Sequence, residues 1–261
     1  MRTRPLALLA LILLAACGGR SAERSASAPT DPTQVVAANF GDADPTNWGS
    51  KSPTRYPVHG IDVSRYQTSI DWRTARANGV NFAFIKALEG VENVDPMFRE
   101  HWNAAGRAGV PRGAYHFFYH CAPAAQQARA FIRTVPRSAT ALPPVLDMEW
   151  TPFSPTCTTR RDGATIRAEA RIFLDIVGAH YGKRPVIYTS VDFFRDNDLG
   201  QIRGVDFWLR AVAKHPSDLY PGQTWTFWQY TSTGIVPGVP GKADINVFAG
   251  SRADWAEWVG R

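Results

Sequence analysis

The chain has 261 residues, 44% hydrophobic and 20% charged, with a formal net charge of +6. That balance excludes a disordered polymer and leaves room for one large α/β domain or two small ones. The basic excess forms no Lys/Arg cluster, so no nucleic-acid partner is indicated, and charge mildly favours an anionic polymer such as a cell wall. Nine Trp and eight Tyr supply flat aromatic surface, which suits stacking on sugars as well as ordinary core packing.

At the N-terminus, Arg2 and Arg4 precede the apolar run LALLALILLAAC, which is too short to span a bilayer and ends in small residues. Residues 1–17 therefore read as a targeting segment. Its end, Leu14-Ala15-Ala16-Cys17, resembles the lipobox of bacterial lipoproteins, in which cleavage precedes a Cys that then carries diacylglycerol. The alternative is ordinary signal cleavage with an incidental Cys. Lipid on Cys17 would hold the protein on a membrane surface. Gly18 and Gly19 follow with no Asp, which resembles sorting to the outer membrane of a Gram-negative host. Residues 18–57 are rich in Ser, Ala, Asp, Thr and Pro with little apolar periodicity, and the expectation there is a flexible tether.

From residue 58 to 261 a single domain is expected. VHGIDVS (58–64) reads as a strand and IDWRTARANG (70–79) as a helix stopped by Gly79. NFAFIKA (81–87) is a strand, followed by a helix over 95–109 with Asp95 as N-cap and Pro96 in its first turn. PRGAYHFF (111–118) and PAAQQARAFIRTV (123–135) form the next strand and helix. PPVLDME (143–149) and residues 163–182 form another pair, and RPVIYTS (184–190) is the fifth strand. Beyond residue 200, strands over 205–212, 224–231 and 243–249 lack good helices between them, so hairpin-like pairing is expected. A short helix, RADWAEWVG, closes the chain. Repeated βα units imply parallel strands with right-handed crossovers. Eight strands, the last three poorly served by helices, favour an irregular TIM-like barrel, and no GxGxxG or Walker pattern follows any strand.

Cys121 and Cys157 each follow a predicted strand. Export implies an oxidising compartment, so a disulfide between loops at one end of the sheet is expected in preference to free thiols.

VLDMEW (145–150) puts Asp147 and Glu149 two residues apart on a buried strand, hence on one face. Like charges there are unfavourable unless something compensates. Asp62 lies near the end of the first strand and Asp244 at the last, and in a closed barrel those strands are neighbours. Strand C-terminal ends are where barrel chemistry sits. Four carboxyls converging on one mouth point to glycosidic cleavage, which needs a protonated carboxyl and negative charge against an oxocarbenium-like sugar. Glu149, with the longer reach, is the expected proton donor and Asp147 its ionised neighbour. A divalent-metal site is the competing reading, disfavoured because no His or DxD accompanies the carboxyls; neither metal nor cofactor is expected.

The blocks GIDVSRYQTSIDW (60–72), FAFIKALEG (82–90), GAYHFF (113–118), LPPVLDMEW (142–150), WQYTSTGIVPGV (228–239) and ADINVF (243–248) resemble, in order, those of glycoside hydrolase family 25, the muramidases or lysozymes. The resemblance implies a (β/α)5(β)3 barrel that hydrolyses the β-1,4 bond from N-acetylmuramic acid to N-acetylglucosamine in peptidoglycan. The alternative is a non-catalytic peptidoglycan-binding lipoprotein, which the intact set of four carboxyls argues against, and a monomer is expected. The resemblance places Glu149 on the family's general acid/base and Asp147 on the partner that orients the substrate's acetamido group. Asp62 and Asp244 fall on the remaining acidic positions. Tyr115 and Tyr188 match strand-end aromatics, Tyr66 and Gln67 the first block. Trp208, Trp228 and Gln229 are candidates for the cleft lining, with core packing an equal account of either Trp. Glu89 is a candidate loop anchor. KALEG and WLRAVAKHP depart from the family pattern. The second puts Arg210 where a small residue is usual, near enough to the cleft to bind a muramyl or peptide carboxylate or to alter substrate fit.

Overall fold

The computed structural model describes residues 31–260, so the expected leader and Cys17 lie outside the described residues. Eight strands close into a barrel: β2 (His59–Val63), β3 (Ala83–Glu89), β5 (Arg112–Phe117), β6 (Val145–Met148), β7 (Val186–Thr189), β8 (Phe207–Arg210), β9 (Phe227–Ile235) and β10 (Ala243–Phe248). Neighbours from β2 through to β9 are parallel, and β10 closes the ring antiparallel to both β9 and β2. Two-residue strands β1 (Gly41–Asp42) and β4 (Asn93–Val94) add to the outer edges of β9 and β3.

The crossovers are α1 (Trp72–Ala77), α2 (Phe98–Arg107), α3 (Ala124–Thr134), α4 (Gly163–Tyr181) and α5 (Val191–Asp196). Their starts are written locally: Asp71 accepts from the Arg73 and Thr74 amides at 3.1 Å each, and Asp162 from Thr165 at 2.9 Å. Helix α4 stops at Gly182, whose φ of 71° favours glycine. Only the four-residue α6 (Pro216–Leu219) separates β8 from β9, and α7 (Arg252–Val259) follows β10 under a Ser251–Asp254 capping box. The fold is therefore a mixed α/β barrel of the irregular TIM-like kind.

Period-two alternation divides the apolar residues between two cores. Outward-facing Ile61, Ile85, Leu146, Ile187, Leu209 and Ile245 pack beneath helix residues such as Trp72, Phe131 and Phe173. Inward-facing Phe82, Phe84, Val145, Val186, Trp208 and Phe227 fill the barrel, and Trp255 and Trp258 of α7 plug its lower end. Each such side chain contributes ~1.5–3 kcal/mol on burial. Room for these rings comes from a glycine: a Cβ on Gly60 would meet the Phe82 ring at 2.5 Å.

Three expectations are corrected. Residues 18–57 were expected to form a flexible tether, yet the described part, from Asp31, is docked on the barrel. Asn81 exchanges hydrogen bonds with the Val36 amide (2.8 Å) and carbonyl (2.9 Å), and buried Arg76 donates to the Gln34 carbonyl at 2.6 Å. Trp48 packs edge-on to Trp228 at 5.0 Å. The docking is held by backbone groups of Gln34 and Val36 and by single side chains such as Trp48, so it leaves no periodic apolar pattern in the segment. Second, the region past residue 200 is hairpin-like only between β9 and β10; β8 and β9 are parallel. Third, Asp95 is not the cap of α2, which starts at Phe98. Asp95 holds the preceding turn, accepting from the amides of Met97 (2.9 Å) and Arg65 (3.0 Å). The fifth helix of the (β/α)5(β)3 pattern is α5, which periodicity over six residues is too short to reveal.

Candidate active site

The mouth of the barrel collects Asp62, Ser64, Tyr66, Lys86, Tyr115, Phe117, Asp147, Glu149, Tyr188, Trp208, Arg210, Gln229, Ser232 and Asp244 around one cleft. The strands put them there by alternation. Asp147 stands two residues above buried Val145, Lys86 above Phe84, and Arg210 above Trp208, so each polar group forms the layer over an apolar one. Asp244 reaches the mouth from the first turn of a strand running the opposite way, and it faces Asp62 directly in register.

Asp62 is the anchor of a buried network. Its Oδ2 accepts from Gln229 Nε2 (3.0 Å) and Asn246 Nδ2 (2.8 Å). Gln229 Oε1 accepts from the Tyr188 hydroxyl (2.9 Å), and Asn246 Oδ1 from the Trp208 indole (2.7 Å). Burial and the Asp244 charge push the Asp62 carboxyl well above the usual range, while the two amide donors pull it back. Asp244 itself is pushed up to about 6 by burial, with Arg210 offsetting part.

Glu149, just beyond the end of β6, is pushed up to about 7, chiefly by burial; Arg210 and Lys86 work against the shift, Asp192 and Asp244 with it. Its backbone is held because His120 donates from Nε2 to the Glu149 carbonyl at 2.8 Å, while the His120 ring stacks on Phe193. The expectation of an ionised Asp147 does not match its setting. Asp147 is only 6% exposed, and burial followed by the Glu149 charge raises its carboxyl well above the usual range. Its Oδ1 is buried with no hydrogen-bond partner among the described residues. An acceptor left open in this way costs ~1–3 kcal/mol, which a donor on a ligand would recover.

The remaining predicted residues divide. Tyr188 is buried and Tyr115 partly buried, both with hydroxyls raised by desolvation and the surrounding carboxylates. Tyr66 stands 75% exposed on the rim beneath the Arg65 guanidinium. Trp208 and Gln229 line the cleft floor. Trp228 does not: it is fully buried on the outer face of β9, its indole donating to the Ala211 carbonyl at 2.8 Å. Gln67 locks a loop, accepting from the Ser64 amide and donating to the Lys242 carbonyl, both at 3.1 Å. Glu89 pairs with Lys86 Nζ at 2.6 Å and accepts from the Tyr119 hydroxyl. Cys121 and Cys157 are disulfide-bonded with Cα atoms 5.8 Å apart, tying the loop after β5 to the loop after β6 at the mouth.

Lys86, Phe117, Asn246, Ser64 and Ser232 are cleft or network residues that sequence reasoning left unassigned. Lys86 was recoverable, since it shares a strand face with Phe84; Asn246 lies within a motif already noted, ADINVF. Another groove, at the far end of the barrel around Trp102, Val135, Arg137, Tyr181 and Lys183, has no carboxyl in its lining and offers no acid/base pair.

Carboxyls poised near neutrality at the C-terminal mouth of a βα barrel, above an aromatic floor, define a carboxyl-dependent glycoside hydrolase. Comparison with known proteins gives the family. The family model described as Glycosyl hydrolases family 25 matches residues 61–239, and the chain belongs to that family. It is 37% identical over 212 residues to the protein YegX of Escherichia coli O157:H7, covering 79% of this chain and 75% of that one. It is 35% identical over 209 residues to Lysozyme M1 of Streptomyces globisporus, covering 75% and 69%. Among solved structures, a family 25 glycosyl hydrolase from Bacillus anthracis superposes with a TM-score of 0.71 at 33% identity, covering 79% of this chain and 95% of that one.

Proposed function

We propose that this glycoside hydrolase is a muramidase, cutting the β-1,4 bond between N-acetylmuramic acid and N-acetylglucosamine in peptidoglycan. The observation that carries the assignment of roles is the pairing of Glu149, pushed up to about 7 by burial, with Asp147, whose buried Oδ1 has no partner. Glu149 delivers its proton to the leaving glycosidic oxygen, since a carboxyl near neutrality both holds and releases a proton at working pH. Asp147 accepts from the N–H of the substrate's acetamido group through the open oxygen and steadies that group as charge develops at the anomeric carbon. Asp62 and Asp244 face each other in register on the cleft wall, and the Gln229–Asn246 amides fix Asp62 in place. Tyr115, Tyr188 and Trp208 shape the floor, with Tyr66 at the rim.

The test is mass analysis of fragments from purified peptidoglycan digested by the wild type and by Glu149→Gln. The expected outcome is fragments with a reducing muramic acid end, lost in the variant. Glycan that binds but is never cut would remove the catalytic assignment.

The protein is exported to the bacterial cell envelope, with lipid on Cys17 holding it to a membrane surface while the barrel acts on the wall as a monomer. The lipobox-like Leu14-Ala15-Ala16-Cys17 supports this. Metabolic labelling with a fatty acid, lost in Cys17→Ala, tests the anchor, and sedimentation of the soluble domain tests the single-chain state.

A further inference from the structure

Two cations line the cleft, Lys86 and Arg210. Lys86 is already satisfied, because its ammonium pairs with Glu89 at 2.6 Å and lies 4.6 Å above the Phe117 ring. Arg210 is different. It sits at the end of β8, opposite Gln229 in register, with its backbone carbonyl fixed by the Tyr220 hydroxyl at 2.7 Å. Its guanidinium makes no hydrogen bond and no ion pair within 4.0 Å among the described residues. Yet it is close enough to Glu149 and Asp244 to favour the ionised form of both. Five N–H donors on a fixed planar fork are thus presented, unspent, beside the proton donor.

We propose that Arg210 is the specificity-determining residue of this cleft and that its guanidinium takes a carboxylate carried by the muramyl unit. The assignment rests on the muramidase reading and deepens it. The bond under attack leaves C1 of N-acetylmuramic acid, the acetamido group that meets Asp147 is on C2, and the lactyl ether that distinguishes this sugar is on C3. The substituent that a purely N-acetylglucosamine polymer lacks is thus one ring carbon beyond the acetamido group, in a cleft that Arg210 lines together with Glu149 and Asp147. The carboxylate has two sources: the lactyl group itself where no peptide is attached, or the stem peptide where one is. Planar, bidentate recognition of a carboxylate suits arginine better than lysine.

The experiment uses the full chain, wild type beside Arg210→Ala and Arg210→Lys. The substrates are peptide-bearing glycan, glycan stripped of peptides by an amidase, and both after conversion of carboxyls to neutral amides. Rates are read near pH ~5.5, where carboxylates are ionised and Glu149 keeps its proton. The expected result is a loss of about ten- to a hundredfold in kcat/KM for Arg210→Ala on carboxylate-bearing glycan, carried mainly by KM, with Arg210→Lys between. On amidated glycan the wild type and Arg210→Ala converge. Loss on stripped glycan marks the lactyl carboxylate as the ligand, and loss confined to peptide-bearing glycan marks the stem peptide. Equal loss on native and amidated glycans shows a counter-ion for the acid cluster only and overturns the proposal, as does no loss on any substrate. A wild type that cuts none of the glycans overturns the muramidase reading, and this proposal with it.

Discussion

Glu149→Gln stabilises the fold at alkaline pH while abolishing turnover. Folding raises the Glu149 carboxyl from its ordinary 4.5 to about 7. Between those values the folded chain binds more protons than the unfolded one, so unfolding free energy falls as pH rises. The favourable contribution is complete below 4.5 and is lost as pH climbs through about 7. At about 1.36 kcal/mol per pH unit, that interval corresponds to about 3 kcal/mol. This is an upper figure, because Asp62, Asp147 and Asp244 share the same protons. Gln is neutral throughout and escapes the loss. At pH ~8 the variant is therefore more stable by up to ~3 kcal/mol, a rise in Tm of ~6–12 °C for a domain of this size. At pH ~4, where Glu149 is protonated, the two proteins differ little. Thermal and urea melts of both proteins at the two pH values check this. A stability gap that is the same at both, or absent at the higher, would refute the reasoning that burial of this carboxyl is a cost the fold carries for function.

Turnover by the wild type should fall on the alkaline side with an apparent midpoint near 7 as Glu149 loses its proton, seen in initial rates against pH. Cys157→Ser should lower stability by about 2–4 kcal/mol, since the bond closes a loop of 36 residues; the denaturant midpoint, compared with that of the oxidised wild type, measures it, and the reduced wild type should match the variant. Gly60→Ala should destabilise by about 1–3 kcal/mol by forcing the Phe82 ring to move, with kcat/KM less affected than Tm. Asn246→Ala should cost about 1–3 kcal/mol, because the Trp208 indole and Asp62 each lose a buried partner.

The order of strands and helices was legible in the sequence because burial on a barrel imposes period two on strands and period 3.6 on helices. The carboxyl pair of VLDMEW announced itself by breaking that apolar pattern, and Asp62 by sitting at a strand end. Failures occurred where meaning lay in distant partners. Trp228 and Trp208 are both strand Trp residues, on the neighbouring strands β9 and β8, and only the phase of each strand's pleat puts one in the outer core and the other under the cleft. Asp95 has the composition of a cap, but its oxygens serve Arg65 thirty residues away. The segment from Asp31 looks like a tether because its contacts are with Arg76, Asn81 and Trp228 rather than with itself.

The sequence by itself determined the kind of barrel, its strand-end carboxyls and the family to which the chain belongs, since local periodicity and motif spacing survive without coordinates. Tertiary structure alone decided how the charges divide. Lys86 and Glu89, three residues apart, neutralise each other, while Arg210 is left open beside Glu149. Asp147, read as ionised from its chemistry, is raised toward its neutral form by the burial that the closed barrel imposes. Charge states depend on what surrounds a group in three dimensions, and that is set by elements far apart along the chain.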